Sequence, residues 1–201
     1  MKDEELDNIE DINNKEVENE NKDTSDGLLS TYRIQIDWNY ESGRKDLSLA
    51  FMHKYAKFLN WEVVCANNDF TEKNIRDFWN YVDWKTVCKH QKMSELLIRD
   101  FADKLSWSDL CKCQTLSEAL MHDYIDRLHW PSVCRFQKLS EKFMRRYSKD
   151  ISWSVACRYQ KMSEEFIREF ADKVDWKMLS EYHELSEELI RDYHDKVDWK
   201  F

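Results

Sequence analysis

A tryptophan recurs in this chain every 23 residues: Trp38, Trp61, Trp84, Trp107, Trp130, Trp153, Trp176 and Trp199, with no slip in the interval. A fixed period of this length marks a tandem-repeat architecture. Each repeat is one supersecondary element that buries its apolar face against its neighbours. By length alone, 201 residues could form one large domain or two small ones. The period makes them one quasi-linear array.

Each repeat reads as two helices. The first opens on a cap residue whose side chain satisfies free backbone N–H groups: Ser48, Thr71, Ser94, Ser117, Ser140, Ser163 and Ser186. An acidic residue usually follows, which the positive helix end favours. Its apolar stripe, Met162, Phe166, Ile167, Phe170 and Val174, has the spacing of one α-helical face. The second helix begins at the residue before the tryptophan. That position holds Asp37, Asn60, Asp83, Ser106, His129, Ser152, Asp175 and Asp198, nearly all good N-caps. Pro131 falls in the first turn of such a helix, where its missing N–H costs little. The expected buried stripe is Trp153, Ala156, Cys157 and Gln160, over a helix of roughly 7–9 residues that is marginal without stacking. A leucine-rich repeat has a similar period, but it needs a strand pattern that is absent here. With two glycines and one proline, hairpin turns are also scarce. The reading is all-α: an α-solenoid of about seven stacked two-helix repeats.

The boundaries follow from the period. Residues 1–23 read as a disordered acidic tail, because they carry too few apolar side chains to offset chain entropy. Residues 24–46 read as a degraded N-terminal capping repeat, in which Gly43 and Arg44 replace the usual segment. The array at 47–201 has full repeats at 47–69, 70–92, 93–115, 116–138, 139–161 and 162–184, then a half-repeat at 185–201. The net charge of −9 belongs mostly to the tail. Residues 1–26 hold three lysines against eleven acidic side chains, leaving 28 basic and 29 acidic over 27–201.

Five of the six cysteines, Cys65, Cys88, Cys111, Cys134 and Cys157, share one repeat position. Stacked repeats hold equivalent Cα atoms roughly 8–10 Å apart, beyond the about 7 Å a disulfide spans. Free core thiols point to a reducing, cytoplasmic setting. The neighbours Cys88 and His90, and Cys111 and Cys113, invite a metal reading. Residues i and i+2 of a helix point about 200° apart, so neither pair can hold one ion. No cofactor and no metal are expected. No stretch is apolar enough to cross a membrane, and no secretory signal is seen.

Three further rows recur. Gln91, Gln114, Gln137 and Gln160 fall on a buried stripe and should bond backbone at the turn into the next repeat. Arg76, Arg99, Arg145, Arg168 and Arg191, with His53 and His122 in phase, resemble an anion-binding stripe. Glu72, Glu95, Glu141, Glu164 and Glu187 lie four residues earlier, however, so a self-paired, solvated face is expected. A second i, i+4 series runs through Asp100–Lys104, Asp123–Arg127, Glu169–Lys173 and Asp192–Lys196. Its signs are exchanged at Arg146 and Asp150. The third row is the outer side of the second helices, where Lys89, His90, Lys112, Arg135, Phe136, Arg158, Tyr159 and Tyr182 set basic beside aromatic side chains. Exposed aromatics with basic neighbours suit a protein ligand or a nucleic-acid strand; partly packed rings with solvated cations are the plainer reading.

Nothing points to an enzyme. The only glycines, Gly27 and Gly43, make no phosphate-cradling loop, and the six histidines are scattered over unrelated repeat positions. The motif of Leu-Ser-Glu-Glu-x-Ile-Arg type leading to Asp-Lys-Val-Asp-Trp, at 162–176 and 185–199, resembles short helical repeats in uncharacterised proteins of large DNA viruses and phages. That resemblance covers about 47–201 and implies an intracellular, virus-encoded repeat protein with no catalytic residues to carry over. The expected function is a non-enzymatic protein–protein interaction scaffold, monomeric, with an unidentified protein partner. The competing reading is RNA or single-stranded nucleic-acid binding through the basic–aromatic row.

Overall fold

A computed structural model of the chain describes residues 36–199. The acidic segment 1–23 and the first half of the expected capping repeat lie outside the described residues. Among those described, the chain forms fourteen α-helices and one 3-10 turn, and no strand. It is an α-solenoid of short alternating helices. Two compact bodies are distinguished among the described residues: 36–69 with 79–81, and 70–78 with 82–199. The first contains helices Trp38–Ser42, Leu49–Tyr55 and Trp61–Asn67. The second contains the remaining eleven, from Glu72–Asp77 to Glu187–Asp192.

The Ser or Thr cap holds in every repeat. All seven side chains accept a hydrogen bond from the backbone N–H three residues on, as Ser163 does from Phe166 at 3.2 Å. The helices they open are shorter than the apolar stripe predicts. The one capped by Ser163 ends at Glu169, and Phe170 takes φ −111° and ψ 28°. The stripe survives past that break because the Val174 N–H still bonds the Phe170 carbonyl at 3.0 Å. The break turns the aromatic ring onto the tryptophan of the preceding repeat.

The second, Trp-led helices run seven residues throughout the second body, so they are not the shorter of the two kinds there. Their caps are less uniform than expected. Asp37, Asn60, Asp83 and Asp175 accept from the helix N–H groups, whereas Ser106, His129 and Ser152 make no side-chain cap bond. In the second body these helices stack in series, Trp84–His90 on Trp107–Cys113, then Trp130–Phe136, Trp153–Tyr159 and Trp176–Tyr182.

Each tryptophan there from Trp84 to Trp176 is a joint. Its indole meets an aromatic ring of the next repeat: Trp84 with Phe101 at 4.6 Å, Trp107 with Tyr124 at 4.9 Å, Trp153 with Phe170 at 5.1 Å and Trp176 with Tyr193 at 4.7 Å between centroids. The indole N–H of Trp107 also donates to the Ala102 carbonyl at 3.0 Å, and that of Trp176 to Ala171 at 2.9 Å. Ordering such short helices requires contacts of this kind, since helices of this length are marginal alone. Trp79, the tryptophan outside the 23-residue register, is 40% exposed.

The glutamine row fastens repeat to repeat, but it reaches backward. Gln137 Nε2 donates to the carbonyls of Cys111 and Gln114, both at 2.8 Å, and Oε1 accepts from the Leu116 N–H at 2.9 Å. Gln160 repeats the pattern on Cys134, Gln137 and Leu139. These amides thus satisfy carbonyls that the preceding helix leaves open at its C-terminal end. His183 stands in the same position and its Nε2–H donates to the Cys157 carbonyl at 2.7 Å.

The cysteine row also has a task the spacing alone does not reveal. Burial pushes the thiols of Cys88, Cys134 and Cys157 up from 9.0 to about 11. The Asp175 N–H donates to Cys157 Sγ at 3.4 Å. Ser42 and Ser180 occupy the same position and accept from the Asn60 and Asp198 N–H groups at 2.8 and 3.2 Å. The position is an acceptor for the amide that opens the next Trp helix.

Candidate partner-binding face

The Trp helices bury Cys157 and Gln160 and their equivalents, which forces the residues between them outward. All eight candidate residues, Lys89, His90, Lys112, Arg135, Phe136, Arg158, Tyr159 and Tyr182, are exposed and lie in the last turns of these helices. Close stacking of the helices lines them up. From Phe136 onward they interleave. Arg135 Cζ lies 5.0 Å from the Phe136 ring centroid and 5.2 Å from that of Tyr159. Arg158 Cζ lies 5.3 Å from Tyr159 and 4.7 Å from Tyr182. A planar guanidinium stacks between rings in a way an ammonium cannot, and its edge donors stay open for carboxylate or phosphate oxygens.

The row is not uniform. Lys112, Arg135, Phe136, Arg158 and Tyr159 line one open groove of about 350 Å³. Lys89 and His90 do not line it, and Lys89 Nζ instead sits 3.9 Å from Asp109. Tyr182 closes the stack, its phenol held above its ordinary range by a hydrogen bond to Glu181. Pro131, Ser154, Val155 and Met178 also line the groove and were not among the candidates. Their signal was available: all four fall in the first turn of a Trp helix.

The second arginine row, on the capped helices, behaves differently. It is self-paired, as expected, but across repeats and not along the helix. Arg76 bonds Asp100 at 2.7 Å, Arg99 bonds Asp123 at 2.7 Å, Arg145 bonds Glu169 at 2.6 Å and Arg168 bonds Asp192 at 2.5 Å. The expected i, i+4 partner is found at Arg145–Glu141, 3.5 Å. These bonds hold Arg99, Arg145 and Arg168 above their ordinary basicity. The glutamates are engaged elsewhere: Glu72, Glu118, Glu141 and Glu164 accept from the N–H of Ser94, Ser140, Ser163 and Ser186 in the following repeat. Desolvation pushes the Glu141 carboxyl up, but the Ser163 groups and Arg145 outweigh it and leave it below its ordinary value. The second i, i+4 series is likewise replaced, by Arg127–Asp103 at 2.5 Å and Lys196–Asp172 at 3.2 Å.

Cys111 is buried and Cys113 exposed, so the two thiols point apart as helix geometry requires. Among the described residues no group of three His, Cys, Asp or Glu side chains converges on a common point. No helix there is long and apolar enough to cross a membrane. No protein-family model, curated protein or solved structure matches this chain.

Proposed function

We propose that this chain is a non-enzymatic protein-binding scaffold that takes its partner on the exposed face of the stacked Trp helices. One observation carries the reading. Arg135 and Arg158 stand between aromatic rings with no carboxylate partner among the described residues, whereas Arg76, Arg99, Arg145 and Arg168 are each neutralised by the next repeat. Stacking holds these two side chains in place, so a ligand costs less ordering entropy than it would with free arginines. Their open donors suit a segment with carboxylates, and Phe136, Tyr159 and Tyr182 suit its apolar side chains.

The six free cysteines, five of them buried, support a reducing intracellular location. The likeness of 162–176 and 185–199 to viral and phage repeats supports a virus-encoded scaffold. Nucleic-acid binding is the competing class. Both guanidiniums lie over Tyr159, which leaves little of that ring for a base to stack on. The test is a pull-down from cells, split into nuclease-treated and untreated halves. A stoichiometric protein that survives nuclease and is lost with Arg135→Ala/Arg158→Ala supports the scaffold. Loss of every partner on nuclease treatment, with a steep salt dependence of binding, replaces it with the nucleic-acid reading.

A further inference from the structure

In the second body the arginine–carboxylate row on the capped helices is interrupted once. At the step from 116–138 to 139–161, His122 stands where the other repeats of this body carry arginine, and Arg146 stands where they carry the acid. Arg146 Nη2 lies 3.3 Å from His122 Nε2, and its Cζ lies 5.6 Å from the Tyr147 ring centroid. His122 Nδ1 meets the Tyr147 hydroxyl. Lys142, one turn before Arg146, lines the same exposed cavity of about 220 Å³, with Ala119 and Phe143 as apolar wall. The single acid there, Glu118, is taken: its two oxygens accept from the Ser140 N–H at 2.5 Å and the Ser140 hydroxyl at 2.9 Å. Asp123 is occupied by Arg99. Neither Lys142 nor Arg146 has a carboxylate partner among the described residues.

We propose that this cleft binds a dianionic phosphate group. Arg146 offers a planar fork matched to two phosphate oxygens, and Lys142 adds a second full charge. With Arg146 donating to Nε2, neutral His122 carries its proton on Nδ1, toward Tyr147. The Tyr147 hydroxyl proton is then free to point into the cleft as a third kind of donor. The other steps of the row already hold a carboxylate in the equivalent place, so this is where an external anion completes the pattern. The site lies on the capped helices, apart from the Trp-helix face, and does not depend on the scaffold reading.

The test is titration of the full chain with inorganic phosphate at constant ionic strength, read by calorimetry and by the His122 ring resonances. A parallel arm uses a short phosphoserine peptide. Saturable binding is expected, with tighter binding of the peptide assigning the site to a phosphorylated side chain and tighter binding of inorganic phosphate to the free ion. His122→Arg/Arg146→Asp rewrites the step as the pair found at Arg99–Asp123. It should fold with at least the parent Tm and bind phosphate at least about tenfold more weakly. Lys142→Gln, at an exposed position, should weaken binding without changing Tm. No saturable response in the parent chain, or equal binding by parent and both variants, overturns the proposal.

Discussion

The two sides of each repeat in the second body are built on different rules. The joint side repeats with little change: a tryptophan capped by the next aromatic ring, an amide reaching back to three backbone groups, and a buried sulfur or hydroxyl accepting an N–H. The open side of the Trp helix changes from repeat to repeat, from Lys112 and Cys113 to Arg135 and Phe136 to Arg158 and Tyr159. On the proposed reading, the constant side supplies stability and the varied side recognition. Substitutions should therefore separate the two properties.

The largest effect belongs to the joint. Trp107→Ala removes a buried indole, its bond to Ala102 and its contact with Tyr124. It should cost about 3–5 kcal/mol by chemical denaturation; a loss under about 1 kcal/mol would undo the distinction between the sides. Gln137→Leu should come next, at about 2–4 kcal/mol, because the Leu116 N–H and the Cys111 and Gln114 carbonyls lose their partner. Gln137→His should be milder, since His183 keeps one of these bonds in its own repeat.

Alkaline pH is a gentler probe of the same side. The raised thiols of Cys88, Cys134 and Cys157 hold their protons in the folded state up to about pH 11, while the unfolded chain releases them from pH 9.0. The folded pKa lies above the unfolded one, so this contribution is intact below pH 9.0 and is lost as pH rises toward 11. Thermal melts across that range should show a falling Tm, and a flat profile would contradict the burial. The smallest stability effect belongs to the open side. Arg158→Ala should leave Tm nearly unchanged and abolish partner capture in the pull-down; a Tm drop as large as that of Gln137→Leu would make the stack structural.

Much of this was legible in the sequence. The invariant tryptophan interval gave the repeat, and the seven Ser and Thr caps lie where the spacing puts them. The ion pairs were not, because of an ambiguity built into a 23-residue period. The residue 24 positions on is the neighbour of the equivalent residue in the next repeat, so every cross-repeat pair such as Arg99–Asp123 has an in-helix rival such as Glu95–Arg99. Composition cannot choose between them; side-chain reach across the stack does. The exchange at Arg146 was read as a pairing with Asp150, whereas the side chain faces His122. The direction of the glutamine bonds was hidden for a related reason. Periodicity places Gln137 on a buried stripe but carries no arrow.

That arrow has a consequence for how the protein is made. Gln114, Gln137 and Gln160 each close bonds to backbone that precedes them in the chain. A repeat leaving the ribosome therefore finds its acceptors already synthesised and in place. Assembly of the second body can proceed vectorially, each new amide locking onto the surface laid down just before it, with no need to wait for the far end of the chain.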